Sequence, residues 1–165
     1  MRLQDYQSLL NEKLGEGIIL NIDETSTPQT LEVPADKIHL VCQELHQNEN
    51  CYFDFLSCIT GIDNGPETGT MEVIYNLYSI PFDLKLMLKV KFKRNIEGEE
   101  LPIVPSVSNI WKTANWHERE IFDLVGIKFS GHPDLRRILL PADWEGHPLR
   151  RDYKNLETYH GIKVD

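Results

Sequence analysis

The apolar residues in the first third of the chain recur at two spacings, one typical of helices and one typical of strands. Apolar side chains three or four residues apart predict a helix over residues 3–14, ended by Gly15, and a second helix over residues 34–48. Short apolar runs predict strands at residues 17–23 and 30–33, joined by a turn-rich connector. The two helical stripes consist of Leu3, Tyr6, Leu9, Leu10 and Leu14, and of Ile38, Val41, Cys42 and Leu45.

Alternation of apolar and polar residues dominates the middle of the chain. It predicts long antiparallel strands at residues 71–79 and 84–93, preceded by a strand that ends at Asp63 and whose first residues, from Tyr52, also suit a helix. In residues 84–93 the lysines share one face, which predicts a half-buried strand with a basic outer side. Solubility and protection of a sheet edge are the usual explanation, and a docking surface for an acidic partner is the alternative. The row consists of Lys85, Lys89, Lys91 and Lys93.

This order of elements predicts the fold class. A helix, two strands, a helix and three further strands favour an α+β two-layer sandwich, with helices on one face of a mostly antiparallel sheet. We assign this fold to residues 1–96. Residues 97–165 are expected to form a linker, one more helix and an extended irregular segment, which is either fixed against a partner or folded around a site. The two parts are expected to form one structural unit, because 165 residues suit a single core.

The last predicted helix covers residues 116–125. Asn115 and Glu118 match a capping box with the asparagine at the N-cap, and Gly126 can take the left-handed conformation that ends a helix. Large apolar side chains occupy most of its circumference. The helix is therefore expected to be covered on more than one side, by this chain or by another.

Composition and charge exclude several classes of protein. Hydrophobic residues make up 41% and charged residues 26%, as in an ordinary globular domain, and the formal net charge of -9 argues against nucleic acid as the main ligand. No apolar run approaches the roughly 20 residues that span a bilayer, and the first residues lack the apolar block of a signal peptide. The three cysteines are too far apart for a metal-binding clip, so we expect buried hydrophobes rather than an iron–sulfur, zinc or disulfide site.

Residues 116–153 concentrate the candidate chemistry. They hold seven acidic and six basic residues, three of the six histidines and two of the three tryptophans. Arg119 and Asp123 lie four residues apart on the helix and are well placed to pair, while Glu120 and Asp123 could share a proton, a metal or an arginine. A structural ion-pair network is favoured, with cross-subunit pairing and a catalytic pair as the alternatives. The candidate cations are Arg136, Arg137, Arg150 and Arg151.

Known catalytic and metal motifs do not fit this segment. His117-Glu118 is not a zincin motif because Ile121 stands where the second histidine belongs, and His132 and His147 alone support a metal site poorly. Neither a phosphate-binding glycine loop nor a nucleophile elbow is present. The sequence therefore predicts no self-contained catalytic apparatus, and the two Gly-His-Pro turns are expected to act as rigid corners.

Two phrases in this segment carry a resemblance to a known family. The first combines Glu-Arg-Glu, a further acid, an apolar pair, a histidine, a basic residue and an aliphatic pair over residues 118–139. The second, a Trp followed by Gly-x-Pro-Leu-Arg-x-Asp-Tyr, occupies residues 144–153. The chain here resembles the C subunit of NADH–quinone oxidoreductase, the thirty-kilodalton subunit family of respiratory complex I. The resemblance implies that the signature residues take part in docking a partner. They are Glu118, Arg119, Glu120, Asp123, Gly126, His132, Pro133, Arg136, Trp144, Gly146, Pro148, Leu149, Arg150, Asp152 and Tyr153.

The resemblance implies a non-catalytic assembly subunit, itself without a cofactor, in the peripheral arm of a proton-pumping NADH:quinone oxidoreductase. It implies contacts with the quinone-site D subunit and adjacent iron–sulfur subunits, at the cytoplasmic face of the inner membrane, which the chain would reach only through the complex. NAD, FMN, iron–sulfur clusters and quinone would be bound by other subunits. Assembly would then depend on the buried charges, so Asp123→Ala or Arg136→Ala is expected to impair it.

The same residues are compatible with other functions. The same signature occurs in a ferredoxin-dependent plastoquinone reductase and in energy-converting hydrogenases. The chain departs from many members at Lys154, where they have proline, and it ends at Asp165, earlier than members with longer tails. The alternative from another class is a stand-alone acid/base enzyme. Its candidate residues are Glu120, Asp123, His132 and Arg136.

Overall fold

The structure is a computed structural model that describes residues 3–163. The last residue of the sequence, Asp165, lies outside the described residues, as do residues 1, 2 and 164. The elements in chain order are α1 (Leu3–Leu14), β1 (Asn21–Asp23), β2 (Thr30–Glu32), a 3-10 turn (Ala35–Lys37), α2 (Ile38–Gln47), β3 (Phe55–Asp63), β4 (Thr70–Ser79), β5 (Leu84–Lys93), β6 (Ile103–Pro105), α3 (Ala114–Val125), β7 (Lys128–Ser130), β8 (Thr158–Tyr159) and β9 (Ile162–Lys163).

Five strands form the main sheet in the order β1-β2-β5-β4-β3. Every neighbouring pair is antiparallel except β2 with β5, so the α+β class with a mostly antiparallel sheet is confirmed. The lysine-rich strand β5 lies inside the sheet, and edge protection is therefore the wrong explanation for its lysines. Two of them pair with acids on the neighbouring strands, Lys89 with Glu32 at 3.2 Å and Lys91 with Glu72 at 3.9 Å.

The helices cover one face of this sheet. On β4 every second residue is buried there, as the alternation predicts, and Tyr75 at the centre is fully buried. Helix α3 crosses β3 so closely that a Cβ on Gly61 would lie 2.6 Å from Ile121. Cys42 and Cys51 are buried among the apolar side chains, as expected, and burial raises the pKa of the Cys51 thiol to about 11. For Cys58 the expectation is wrong, because this residue is only partly buried and accepts a hydrogen bond from Asn76 on β4.

The second half of the chain contains four short strands that the sequence did not predict: β6 and β7 on either side of α3, and the two-residue strands β8 and β9. The expected linker includes β6, which pairs in parallel with β7 just after α3. Each of these two strands has only three residues, which is too few for alternation to show. Two predicted elements are also shorter than expected: the first strand begins at Asn21, and the helix that follows Pro34 opens with the 3-10 turn.

The start of α3 corrects one prediction and its end confirms another. The helix begins at Ala114, with Thr113 at the N-cap and no side-chain cap bond, so the capping box of Asn115 and Glu118 is wrong. At the other end Gly126 has φ 76° and takes the left-handed conformation.

Candidate functional site

Residues 131–153, here called the wrapping segment, contain neither helix nor strand and pack against the C-terminal end of α3. Such a chain lacks regular backbone pairing, so its polar groups need other partners. Most of the signature residues lie in this segment or on α3. The site therefore consists of a helix end and the loop that encloses it.

Asp123 is the centre of the site and is fully buried. One carboxylate oxygen accepts a hydrogen bond from Arg137 at 2.7 Å. The other accepts the backbone N–H groups of three successive residues, 138–140, at 2.8 to 3.0 Å. Burial alone would raise the pKa of Asp123, but these N–H groups and Arg137 together hold it below the usual value. The carboxylate thus stays charged and fixes the course of the wrapping segment.

The last carbonyl groups of α3 and the carbonyl of its C-cap Gly126, together residues 123–126, also receive donors from the wrapping segment. His147 donates from Nδ1 to the first at 2.9 Å, and the Leu149 N–H donates to the second at 2.8 Å. The guanidinium of Arg150 donates to the last two, both at 2.9 Å. The C-terminal end of a helix leaves these carbonyls without intrahelical partners and carries a partial negative charge. A cation such as Arg150 stabilises it both by hydrogen bonding and by electrostatic attraction.

A second anchor ties the wrapping segment to the main sheet. Asp63, at the end of β3, accepts from Arg94 at 2.7 Å and from the Arg151 N–H at 3.0 Å, and Arg94 also binds Asp152. Burial would raise the pKa of the Asp63 carboxyl, but Arg94 and the N–H groups of Arg151 and Gly65 lower it. Sequence reasoning missed this pair; the available signal was an acid at the end of β3 and an arginine directly after β5, the two apolar strands that flank β4.

Glu118 is a second buried carboxylate on α3, and its hydrogen bonds go to the chain that follows β6. It accepts hydrogen bonds from the Ser106 hydroxyl and from the Val107 N–H at 2.7 Å. Its burial is complete and its nearest basic side chain, His132, is 4.0 Å away. Desolvation raises the pKa of Glu118 to about 7, against the bonds from Ser106 and Val107, which lower it.

The remaining signature residues hold the loop in shape. The predicted pair of Arg119 and Asp123 is wrong. Arg119 donates instead to the carbonyls of Arg136 and Arg137, both at 3.2 Å. Arg136 is exposed and pairs with Asp134, so it is not the cation that meets Asp123. The corners expected at Gly131 and Gly146 have φ 79° and 80°. Three further side chains donate hydrogen bonds. Arg137 donates to the carbonyls of Trp144 and Gly146, the Trp144 indole donates to the Tyr153 hydroxyl, and His132 donates to the Asn115 carbonyl.

Residues 31–159 match the family model of the respiratory-chain NADH dehydrogenase 30 Kd subunit. The chain belongs to this family. It is 40% identical to the NADH-quinone oxidoreductase C subunit of Chloroherpeton thalassium over 94% of its own length but only 62% of that protein. It is 41% identical to the C subunit of Chlorobium phaeobacteroides, over 94% of this chain and 91% of that one.

Two further comparisons extend the picture of this 30 Kd subunit family. An NADH-quinone oxidoreductase C/D subunit of Phocaeicola vulgatus is 41% identical over 76% of this chain and 22% of that longer protein. Among solved structures, a chain of a membrane-bound sulfane sulfur reductase, an archaeal respiratory membrane complex, superposes with a TM-score of 0.72. It covers 93% of this chain and 85% of that one at 22% identity, which shows the shared fold.

The structure of this family member does not gather the four residues of the acid/base alternative around one cavity. Asp123 is buried with both oxygens bonded, whereas Glu120 and Arg136 are exposed. Within residues 3–163 no three His, Cys, Asp or Glu side chains are grouped to hold a metal ion. Helices long and apolar enough to cross a membrane are also absent from the described range.

Proposed function

We propose that this chain is a non-catalytic structural subunit of the peripheral arm of a proton-pumping NADH:quinone oxidoreductase. Membership of the 30 Kd subunit family supports the complex. The observation that carries the structural role is that the charged side chains of Asp123, Arg137 and Arg150 fasten a loop to a helix end. NAD, FMN, iron–sulfur clusters and quinone are then bound by other subunits.

The quinone-site D subunit is the partner that we propose first. The Phocaeicola vulgatus relative is a single chain that carries the names of both the C and the D subunit. The part that is similar to this protein makes up 22% of it. Two subunits can be joined in one chain only if the junction suits their arrangement, so the D subunit is a natural neighbour of this chain. Adjacent iron–sulfur subunits are the further partners, and through them the chain lies at the cytoplasmic face of the inner membrane.

The wrapping segment and α3 lie within the proposed docking part, residues 97–165, and residues 1–96 form the supporting sandwich. Internal bonds hold most of the signature residues, including His132 and Tyr153 through their side chains and Gly126 through its backbone. Their role is to give the surface a fixed shape, as a rigid surface loses less conformational entropy on binding. The side chains left for a partner are exposed ones, among them Trp116, Leu139 and Leu149 at 61 to 67% exposure.

Affinity purification of the full chain from detergent-solubilised membranes tests this function. We expect the tagged chain to bring down a complex that contains a quinone-site D subunit and that oxidises NADH with a quinone acceptor. Recovery of the native chain only as a free monomer would rule the proposal out. A nickel–iron large subunit in place of the D subunit would instead assign the chain to an energy-converting hydrogenase. A purified complex that takes its electrons from ferredoxin would assign the chain to the plastoquinone reductase.

A further inference from the structure

Strand β3 forms one edge of the main sheet, and part of its backbone has no partner. Asn64 donates its N–H to the Thr70 carbonyl at 3.1 Å, which fixes the phase of the β3–β4 ladder. Antiparallel pairs alternate between bonded and non-bonded residues, so the N–H and C=O groups of Ile59 and Gly61 point away from β4. Within residues 3–163 no other strand or side chain bonds to these four groups.

The sequence of β3 lacks most of the devices that protect a free edge. Residues 55–63 contain no proline and no lysine, and the single charged residue, Asp63, is turned inward to Arg94. A bulge between Leu56 and Cys58 disturbs the first part of the strand and leaves residues 59–63 in regular register. An unprotected edge of this kind pairs readily with another extended chain.

A groove of about 270 Å³ runs beside this free edge, between β3 and helix α3. Leu124 and Leu149 form apolar parts of its wall, and Leu149 is 61% exposed. His117 and Glu120 lie at its rim on α3. An extended peptide placed here would bond to the strand through its main chain and place alternate side chains against the helix.

The rim of the groove carries an unbalanced negative charge. Glu120 is exposed, and no other residue in the described part of the chain forms an ion pair or a hydrogen bond with it. Its neighbour Arg119 is directed to the wrapping segment instead. A cation from outside the chain would complete this rim.

We infer that β3 is completed by an extended segment of a partner subunit, which adds a sixth strand along Ile59 and Gly61 and places a lysine against Glu120. Small apolar side chains of the same segment would contact Leu124 and Leu149. The inference rests on the proposed function, because the partner is a neighbouring subunit of that complex. A second copy of this chain fits less well, since it would bring the same acidic rim and a net charge of -9 to the groove.

Carbodiimide cross-linking of the purified complex tests the partner and its charge. The reagent joins a carboxylate to a lysine amine as an amide only where the two groups touch. We expect a Glu120–lysine cross-link to an identified subunit, lost in Glu120→Gln. Leu149→Glu should lower the recovery of that subunit about tenfold, as for a central interface residue. Leu20→Glu, at a residue 60% exposed and outside the groove, should leave recovery unchanged.

Hydrogen exchange resolved at single amides tests the strand pairing itself. The amides of Ile59 and Gly61 should exchange fast in the isolated chain and slowly in the complex, whereas those of Thr60 and Ile62, bonded to β4, are slow in both. If the complex forms but these two amides stay fast and Leu149→Glu assembles normally, the inference fails and the proposed function stands. Protection that arises instead from self-association of the isolated chain also overturns it. If the unaltered chain joins no complex, both the inference and the proposed function are wrong.

Discussion

Asp123 and Glu118 are buried carboxylates on the same helix, and their surroundings shift their pKa values in opposite directions. Asp123 meets Arg137 and three N–H groups, so its pKa is lowered and its contribution to stability is lost only as the pH falls below the ordinary value of 3.8. Glu118 has one hydroxyl and one N–H, which do not offset its desolvation, and its pKa is raised to about 7. Residue identity alone does not distinguish these two environments.

The adjacent arginines 136 and 137 give a matched test of the buried ion pair. The Arg137 side chain is 17% exposed and binds Asp123, whereas Arg136 is 74% exposed. Arg137→Ala should lower the free energy of unfolding by about 3 kcal/mol because it leaves a buried charge without its cation. Arg136→Ala should cost less than about 1 kcal/mol. Urea denaturation measures both, and equal losses would contradict the assignment of Arg137 as the partner.

Glu118→Gln tests the pKa of the second carboxylate. The unfolded chain releases the Glu118 proton near pH 4.5 and the folded chain near pH 7, so between these values the folded state binds more protons. The unfolding free energy of the native protein should therefore fall relative to Glu118→Gln as the pH rises from about 4.5 to 7, by about 3 kcal/mol. Denaturation at several pH values gives this difference, and a difference independent of pH would refute it.

Helix α3 shows how an irregular loop is held by the end of a regular element. Its last carbonyls would be unsatisfied without the wrapping segment, and the wrapping segment would have few backbone partners without the helix. His147 and Gly126 touch where the two meet, since a Cβ on Gly126 would lie 2.5 Å from the His147 ring. The order of the loop thus depends on the shape of the helix end.

Gly126→Ala, compared with Gly131→Ala, tests this dependence. Both glycines have positive φ, so each substitution should cost about 1 kcal/mol or more in backbone strain. Only at Gly126 does the new methyl group meet a neighbour; at Gly131 nothing lies within 4 Å. Gly126→Ala should therefore be clearly more destabilising in urea denaturation and should increase hydrogen exchange at residues 147–150. Equal effects of the two substitutions would show that the His147 contact is unimportant.

At the scale of the whole molecule, the Asp63–Arg94–Asp152 cluster joins the C-terminal segment to the sheet. The Arg94 and Asp63 side chains are 5% and 0% exposed, so the sheet pair is inside the protein, while Asp152 reaches it from the surface at 46%. Residues 88 positions apart in sequence meet here, as the Arg151 N–H binds Asp63. The cluster therefore fixes where the wrapping segment lies on the sandwich.

Arg94→Ala should lower the free energy of unfolding by about 3–5 kcal/mol, since it leaves Asp63 buried and unpaired. Lys93→Ala, at the exposed neighbouring residue, is the control and should have little effect. Asp152→Ala removes only the outer contact, so it should leave stability nearly unchanged but raise hydrogen exchange at residues 150–153. Unchanged exchange in Asp152→Ala would mean that the cluster does not hold the segment.

Local patterns in the sequence determined the long elements, the fold class and the family. Helix α1, strands β4 and β5 and the glycine at residue 126 follow from periodicity and backbone conformation, which neighbouring residues fix among themselves. Tertiary structure alone decided which arginine meets Asp123, why Glu118 is buried, and that β3 rather than β5 is an edge strand. These depend on contacts between residues far apart in the chain, where burial and hydrogen-bond geometry select one partner from several of equal charge.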